Sequence, residues 1–481
     1  MNTFLENLKD DFSYDYTMNG ALTRNTTKSR VLDLFALGGS YRNQTDEDKI
    51  VLFLKAFQED SELALKCLFY LRDCRGGAGE RDFFRVVFRY LCDKKPDLAK
   101  YLFPLIPIYG RWDDIIYSAI DTEINDVVCQ YLYMRFSADL VSDEPSLLGK
   151  WLPSINAASP ETRELAKKLI NNWGITNKFY RQGCSELRKK LDVLERKLSK
   201  NEWEKIEYDK IPSLAGLKYS EAFNRHDRER YRDFIQNKDT KVNAEVLTPF
   251  DIVRKYFNDR NYCDAEIIDK YWNNLKDYYN GKEENAIAIV DVSGSMTVNG
   301  AAPLFAAIGL GLYVATKSKG DFANHFITFS AKPQLVEILP EAPISENIDF
   351  MYRADWGWNT DIEAVFDLLL KTAKAKGTKK EDMPKRLYIF SDMEFDAATD
   401  LDELERETLF ECLDKRWKRE GYELPEVVFW NLNARLNIPA IGKKFSYISG
   451  FAPSMIENIL SGKTGYDLMI DKLLSDRYSL I

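Results

Sequence analysis

The sequence predicts an α + α/β fold, in which an all-helical N-terminal array precedes a doubly wound α/β domain. From about residue 28 to residue 280, apolar residues recur three and four positions apart, as they do in amphipathic helices. After "NGKEENA", continuous apolar runs alternate with helical segments, which is typical of a mostly parallel sheet covered on both faces. The chain has 481 residues, more than one hydrophobic core usually holds. We therefore predict two domains, residues 1–282 and 283–481.

The helical region begins with short helices that have recognisable ends. "TDEDKIVLFLKAFQED" starts at the capping residue Thr45, "SELALKCLFYLRDC" starts at Ser61, and Pro96 follows "ERDFFRVVFRYLCDKK". Short helices joined by short turns predict a curved, repeat-like array of the solenoid type. A sub-boundary is possible near residues 150–180, beyond which the stretch 185–206 resembles one long charged helix.

The α/β region is predicted from six apolar strands, most of them separated by helices. "QLVEIL" follows "NHFITFS" so closely that it is expected to return as an antiparallel edge strand. "AAPLFAAIGLGLYVATKSKG" is the most apolar helix, and we interpret it as a buried helix beside the sheet. The strands are "AIAIVDVS", "NHFITFS", "QLVEIL", "RLYIFSD", "EVVFWNLN" and "FSYIS".

The composition excludes several classes of protein. A 45% apolar and 30% charged chain is typical of a globular protein, and we expect no membrane segment and no secretory signal. The seven cysteines form no C-x-x-C pair, and no set of four Cys or His residues has the tight spacing of a structural zinc site. The scarcity of histidine, with two in the chain, also argues against Ser-His-Asp or Cys-His catalysis. We therefore expect a cytoplasmic monomer with reduced cysteines.

Three predicted loops carry oxygen ligands. "IVDVSGSM" places Asp291, Ser293 and Ser295 directly after an apolar strand, Thr360 precedes a helix, and Asp392 follows another strand. In a doubly wound sheet, ligands bind beyond the carboxyl ends of the strands. Two carboxylates and three hydroxyls suit a hard cation, so we predict Mg²⁺, or another divalent ion such as Mn²⁺ or Ca²⁺.

This D-x-S-x-S pattern, with a later Thr and Asp, resembles the metal-ion-dependent adhesion site of von Willebrand factor A domains, which are Rossmann-like. The resemblance assigns the metal to Asp291, Ser293, Ser295, Thr360 and Asp392. It implies that the Ser and Thr side chains touch the metal and that the Asp side chains act directly or through water. A partner's carboxylate could complete the coordination.

The rest of the chain resembles an uncharacterised family, a domain of unknown function, whose members place a helical, HEAT-like domain before an A domain and are similar to the Ro/TROVE proteins. The resemblance rests on "LFYLRDCRGGAGERDFFRVVFRYL", "YGRWDDII", "KWLPSINA" and the stretch 187–227. Ro proteins form a ring that binds single-stranded RNA ends in its hole and duplex RNA outside. The resemblance therefore implies RNA, single-stranded or structured, as a partner of this chain.

Two stretches offer cations for such a ligand although the net charge is −9. The glycine-rich segment "RDCRGGAGERDFF" could hold a phosphate on its amides, but a tight turn between helices is the interpretation we favour. Residues 161–200 carry eleven Lys or Arg and five acids, which could equally be a solvated helix face. The candidate residues are Arg72, Arg75, Arg81, Arg181, Arg188, Lys189 and Lys190.

The leading hypothesis is a non-enzymatic, Ro-like RNA-binding protein with a Mg²⁺-dependent ligand site. One alternative is a metal-dependent protein-interaction scaffold with no nucleic-acid role, which the acidic net charge favours. A minor alternative is a metal-assisted hydrolase of phosphoesters, but the sequence offers neither a P-loop nor a second metal cluster.

Overall fold

The computed structural model describes residues 10, 12–258, 264–329, 332–353, 361–396, 408–435 and 437–481. Its architecture is α + α/β, with an N-terminal helical region followed by a mostly parallel six-stranded sheet. A short antiparallel hairpin, β1 (Tyr14–Tyr16) and β2 (Leu22–Arg24), precedes the helices. No strand was predicted for this hairpin, because neither "YDY" nor "LTR" forms an apolar run.

The helical region contains mostly short helices with local start signals. Thr45 caps its helix through a reciprocal pair with Asp48, and Ser159 and Thr176 cap two later helices. These helices are α1 (Arg30–Leu37), α2 (Asp46–Glu59), α3 (Ser61–Arg72), α4 (Asp82–Lys94), α5 (Pro96–Leu102), α6 (Ile106–Tyr109), α7 (Trp112–Ala119), α8 (Asn125–Val141), α9 (Leu148–Trp151), α10 (Pro160–Trp173), α11 (Asn177–Lys190), α12 (Leu194–Ser199), α13 (Ser213–His226), α14 (Arg228–Gln236), α15 (Pro249–Asn258) and α16 (Ala265–Asn273).

The predicted long helix over residues 185–206 is wrong. Helix α11 ends at Lys190, and α12 begins only at Leu194. Asp192 between them has a φ of 46°, a left-handed conformation that an α-helix does not contain. The chain therefore turns here, which brings α12 to a wall of the cavity described below.

The sheet has the order β5-β4-β3-β6-β7-β8, and all neighbouring strands are parallel except β4 and β5. The antiparallel edge strand predicted from "QLVEIL" is thereby confirmed. The strands are β3 (Ala286–Val290), β4 (His325–Thr328), β5 (Leu335–Glu337), β6 (Arg386–Ser391), β7 (Glu426–Asn431) and β8 (Phe445–Ser449). The helices of this domain are α17 (Val298–Lys317), α18 (Ile344–Arg353), α19 (Ile362–Lys376), α20 (Leu409–Arg419), α21 (Ile456–Ile459) and α22 (Gly465–Leu473).

Helix α17 is the apolar helix that the sequence placed beside the sheet, and its burial confirms that interpretation. The segment Gly294–Lys317 is long and apolar enough to cross a membrane, but 72% of its most apolar stretch is buried inside the protein. The backbone of Asn299, Gly300 and Ala301 is left-handed, so the regular helix begins after this turn.

The helical region contacts the α/β domain at both of its ends. At the first end, the Ser449 hydroxyl donates to the Phe35 carbonyl of α1 (3.0 Å) and accepts from the Gly39 amide (2.8 Å). At the other end, α15 packs on α17, where a Cβ on Gly309 would lie 2.8 Å from the carbonyl carbon of Pro249. The helical region therefore contacts the α/β region both near its start and near its end.

A third contact joins α3 to the C-terminal segment. Asp73, which is fully buried, accepts hydrogen bonds from the Arg477 guanidinium and from the Tyr478 hydroxyl (3.1 Å). Lys66 donates to the Tyr478 carbonyl (2.8 Å). A buried carboxylate needs such partners, so these bonds hold the C-terminal segment against the helical region.

Candidate metal and nucleic-acid sites

The candidate metal site lies at the carboxyl ends of two adjacent parallel strands. β3 and β6 pair directly, with Val290 opposite Phe390, and the Asp291 amide continues the ladder to the Phe390 carbonyl (3.0 Å). β4 follows β3 along the chain and lies on the other side of it, so the strand order reverses between β3 and β6. This is the switch point at which open α/β sheets bind ligands.

Asp291 is held rigidly at this point. Its Oδ1 accepts from the Ser293 amide (2.8 Å), and its Oδ2 accepts from the Ser391 hydroxyl (2.6 Å). The same Ser391 hydroxyl accepts from the Met393 amide (3.0 Å), so its orientation is also fixed. Ser391 was not among the residues predicted from the sequence, although it directly precedes Asp392.

The two serines of the motif and Asp392 lie together beside Asp291. The hydroxyls of Ser293 and Ser295 are 3.1 Å apart, and Asp392 accepts from the Glu394 amide through Oδ1 (3.2 Å). Asp392 Oδ2 is buried and has no hydrogen bond of acceptable geometry from any described residue. A buried, unpaired carboxylate oxygen beside two hydroxyls fits the donor set of a hard cation.

Thr360, the fifth predicted ligand, lies outside the described residues. The structure therefore brings four of the five predicted ligands together at the carboxyl ends of β3 and β6. Within the described part of the chain, no three His, Cys, Asp or Glu side chains cluster in a way that could hold a metal. A cation at these strand ends would accordingly depend on hydroxyl ligands as well as on the two carboxylates.

Both carboxylates of the site have a raised affinity for protons. Burial and the neighbouring charge of Asp392 raise the pKa of Asp291 to about 7, although the Ser391 and Ser293 hydroxyls oppose the shift. Burial also raises the pKa of Asp392, against the effect of the Ser295 hydroxyl. Two carboxylates that resist ionisation together are the electrostatic setting in which a divalent cation is favourable.

The N-terminal hairpin docks on the loop that follows β6. The Thr17 hydroxyl donates to the Phe395 carbonyl (2.7 Å), and the Asn19 amide group donates to the Glu394 carbonyl (2.7 Å). The Met18 amide donates to the Glu394 carboxylate (2.7 Å), which is buried. The hairpin therefore fixes the loop that begins with the candidate ligand Asp392.

A large basic cavity lies in the helical region. Its volume is about 1150 Å³, larger than most small-molecule pockets. Its wall contains a single acidic residue, Glu195, and the aromatic residues Trp112, Trp151, Tyr180 and Tyr219. The basic residues of the wall are Arg75, Arg111, Lys150, Arg181, Arg188, Lys189, Arg196, Lys200 and Lys218.

Four of the seven predicted nucleic-acid residues line this cavity. Arg75, Arg181 and Lys189 are exposed there, whereas Arg188 is half-buried. The Arg188 guanidinium donates to the carbonyls of Gly149 (3.1 Å) and Leu152 (2.9 Å). It therefore supports the wall and adds charge to it at the same time.

The other three predicted residues do not line the cavity. Arg72 is buried and forms an ion pair with Asp114 (2.7 Å), which keeps it in the core. Lys190 donates to the carbonyls of Leu140 and Ser142 at the end of α8. Arg81 is exposed elsewhere. Arg72 and Lys190 therefore have structural roles, because their cationic groups are bound to other residues of the protein.

The glycine-rich loop forms a tight turn. The amides of residues 75–80 donate within the protein: those of Arg75 and Gly76 to the Asp73 carboxylate, and those of residues 77–80 to backbone carbonyls. A Cβ on Gly77 would lie 1.9 Å from the Tyr70 carbonyl oxygen. These six amides are therefore not available to a phosphate.

Several cavity residues were not predicted from the sequence. Arg111 and Lys150 lie outside the basic stretch 161–200, and Lys218 lies beyond it. Arg196 and Lys200 belong to that stretch, and the turn at Asp192 brings them to the wall. Isolated cations of this kind carry no local signal, because the surrounding sequence is not unusually basic.

Comparison with known proteins relates the chain to domains of unknown function. Residues 285–472 match the family described as Domain of unknown function (DUF7788), and residues 17–106 and 154–287 match Domain of unknown function (DUF2828). An uncharacterized protein of Acanthamoeba polyphaga mimivirus is 29% identical over 495 residues, which covers 93% of this chain and 85% of the relative. The matches support an uncharacterised family, built from domains of unknown function, for this chain.

Proposed function

We propose that this protein is a non-enzymatic RNA-binding protein that takes single-stranded RNA into the basic cavity of its helical region. In this proposal the helical region is a TROVE-like, HEAT-type array. The C-terminal part is a von Willebrand factor A-like domain that holds Mg²⁺ at Asp291, Ser293, Ser295 and Asp392, with Thr360 as a further ligand.

The observation that carries the RNA proposal is the charge of the cavity wall. Among the described residues, the wall of the cavity carries nine cationic side chains and a single carboxylate, that of Glu195, although the net charge of the protein is −9. Among the described residues, only Lys189 of the nine has a carboxylate within 4.0 Å, that of Glu186 (3.9 Å). Unpaired cations gathered in one concave surface attract a polyanion, and aromatic side chains in the wall can stack on its bases.

The metal proposal depends on the side chains at the carboxyl ends of β3 and β6. The buried, unpaired Oδ2 of Asp392 and the adjacent hydroxyls of Ser293 and Ser295 support a hard cation there. Such a cation supplies a Lewis-acidic position that can take a carboxylate or phosphate oxygen of a partner. Asp291, held by Ser293 and Ser391, would orient the site.

The test is a binding titration with a fluorescein-labelled 12-residue oligouridylate, repeated at several salt concentrations. If six of the nine cations contact phosphates, the logarithm of the association constant falls with a slope of roughly −4 against the logarithm of salt, since single strands give about −0.7 per contact. Arg181→Gln combined with Lys189→Gln should weaken binding and flatten the slope by about 1.4.

The matched control is Lys167→Gln combined with Lys178→Gln, which removes the same charge from exposed positions outside the cavity. This control should leave the affinity within about twofold, because exposed charges that do not line the cavity act on the strand only through screening water and salt. Equal effects of the two double variants would contradict binding in the cavity. Absence of any RNA binding at low salt, combined with Mg²⁺-dependent capture of a protein partner, would favour the scaffold alternative.

A further inference from the structure

Two cationic side chains lie against one indole in the wall of the cavity. The Arg111 guanidinium carbon is 4.7 Å from the centroid of the Trp151 ring, and Lys150 Nζ is 5.7 Å from it. Arg111 directly precedes α7, whereas Lys150 and Trp151 end α9, so tertiary packing alone joins them. All three residues line the cavity.

Neither cation forms a direct ion pair with a described residue. Among the described residues, no carboxylate lies within 4.0 Å of Arg111 or Lys150, whereas the carboxylates next to them in space are already engaged. Asp114 pairs with Arg72 (2.7 Å) and with Arg85 (2.7 Å). Arg111 is half-buried, and burial together with the nearby Arg72 charge lowers its pKa, although the charges of Asp113 and Asp114 oppose the shift. A desolvated, unpaired cation is unfavourable until an anion joins it.

The position is rigid before any ligand binds. The Arg188 guanidinium donates to the carbonyls of Gly149 and Leu152, which lie on either side of Lys150 and Trp151. The Tyr180 hydroxyl donates to the neighbouring Pro153 carbonyl (2.8 Å). These bonds fix the end of α9, and the indole in turn restrains the two cations by cation–π contacts. Pre-organisation of this kind lowers the entropy lost on binding.

We propose that Arg111, Lys150 and Trp151 form the subsite that anchors a phosphate group of the bound strand. Arg111 and Lys150 donate charge-assisted hydrogen bonds to the phosphate oxygens, and Trp151 holds the two cations in place. The other cations of the wall, such as Arg181 and Lys189, are exposed and contribute mainly long-range attraction. This inference rests on the proposed RNA binding, and it assigns most of the affinity to one point of the cavity.

The test compares two double variants of equal charge in the full-length protein. Arg111→Gln with Lys150→Gln should lower the affinity for the labelled oligouridylate about tenfold more than Arg181→Gln with Lys189→Gln, since a hydrogen bond to a charged group contributes more than a screened surface charge. Trp151→Leu should reproduce much of the loss, and Trp151→Phe should recover part of it because a ring is retained. Inorganic phosphate should compete with the strand on the wild type and not on the first double variant.

A structural role for Arg111 would be detected by the thermal stability of the free protein rather than by RNA binding. If Arg111 serves as an anchor, Arg111→Gln should leave the melting temperature of the free protein unchanged or raised, because an uncompensated charge is removed. A melting temperature several degrees lower would overturn the proposal, as would equal losses in the two double variants. Failure of Arg111→Gln to fold would overturn the anchoring role of Arg111 in the same way. Lys150→Gln against Lys189→Gln separately compares the other cation of the subsite with an exposed cation of the wall. Failure of the wild type to bind any RNA would instead refute the proposed function.

Discussion

Asp291→Asn should distinguish two effects of the Asp291 charge: the loss of stability caused by burying it, and its contribution to metal binding. Asparagine is nearly isosteric and can keep both hydrogen bonds of Asp291, accepting from the Ser293 amide and donating to the Ser391 hydroxyl. The substitution removes only the negative charge. Without metal, we therefore expect the variant to be more stable than the wild type at neutral and alkaline pH.

The size and sign of the effect follow from the pKa of Asp291. Burial and Asp392 raise this pKa from 3.8 to about 7 in the folded protein, so the folded state binds the proton more tightly than the unfolded state. The contribution of Asp291 to stability is therefore fully present below about pH 4 and is lost as the pH rises to about 7. At 1.36 kcal/mol per pKa unit, the loss is on the order of 4 kcal/mol at pH 8 and on the order of 1–2 kcal/mol at pH 5.

The assay is thermal unfolding from pH 5 to pH 8, with EDTA or with Mg²⁺. In EDTA, the advantage of Asp291→Asn should grow with pH. A Mg²⁺ concentration one hundred times its dissociation constant should stabilise the wild type by about 2.7 kcal/mol, which is roughly 5–10 °C for a domain of this size. The variant should show no such gain, because a neutral amide does not replace the carboxylate.

Asp33→Asn is the matched control. Asp33 is also buried, its pKa is raised by burial, and its partners Thr26 and Thr27 lie in the helical region. This variant should keep the full response to Mg²⁺. Equal Mg²⁺ stabilisation of Asp291→Asn and the wild type would refute a metal at Asp291, and a wild type that responds to no divalent cation would refute the metal site altogether.

Three further predictions concern the contacts that hold the domains together. Asp73→Ala should lower the free energy of unfolding by about 3 kcal/mol in denaturant titrations, because it leaves the Arg477 guanidinium without its buried partner; a loss below about 1 kcal/mol would contradict this role. Gly309→Ala should cost about 1–3 kcal/mol in the same titrations, since its Cβ would press on the Pro249 backbone, and an unchanged unfolding midpoint would show that α15 can move aside. Asn19→Ala should accelerate amide hydrogen exchange in the hairpin and in the loop after β6, while exchange in α8 stays unchanged; uniform acceleration would indicate global destabilisation instead.

The sequence was sufficient to predict the elements whose signal is local. Continuous apolar runs identified all six strands of the large sheet, and the close spacing of "NHFITFS" and "QLVEIL" identified the antiparallel edge. The polar residues after "AIAIV" and "RLYIF" marked the carboxyl ends of β3 and β6. In the parallel strands, burial on both faces imposes these patterns residue by residue, so the sequence alone shows them without any tertiary information.

The tertiary structure alone decided which of these residues meet. Asp291 and Asp392 are close because β3 and β6 pair directly. The order of the strands is set by the connections that cross over between them, and no local sequence pattern predicts it. Arg72 and Arg75 are similar in sequence context, yet Asp114 draws the first into the core and leaves the second at the cavity. The cavity itself collects cations from many separate elements, because only packing determines which side chains face the same space.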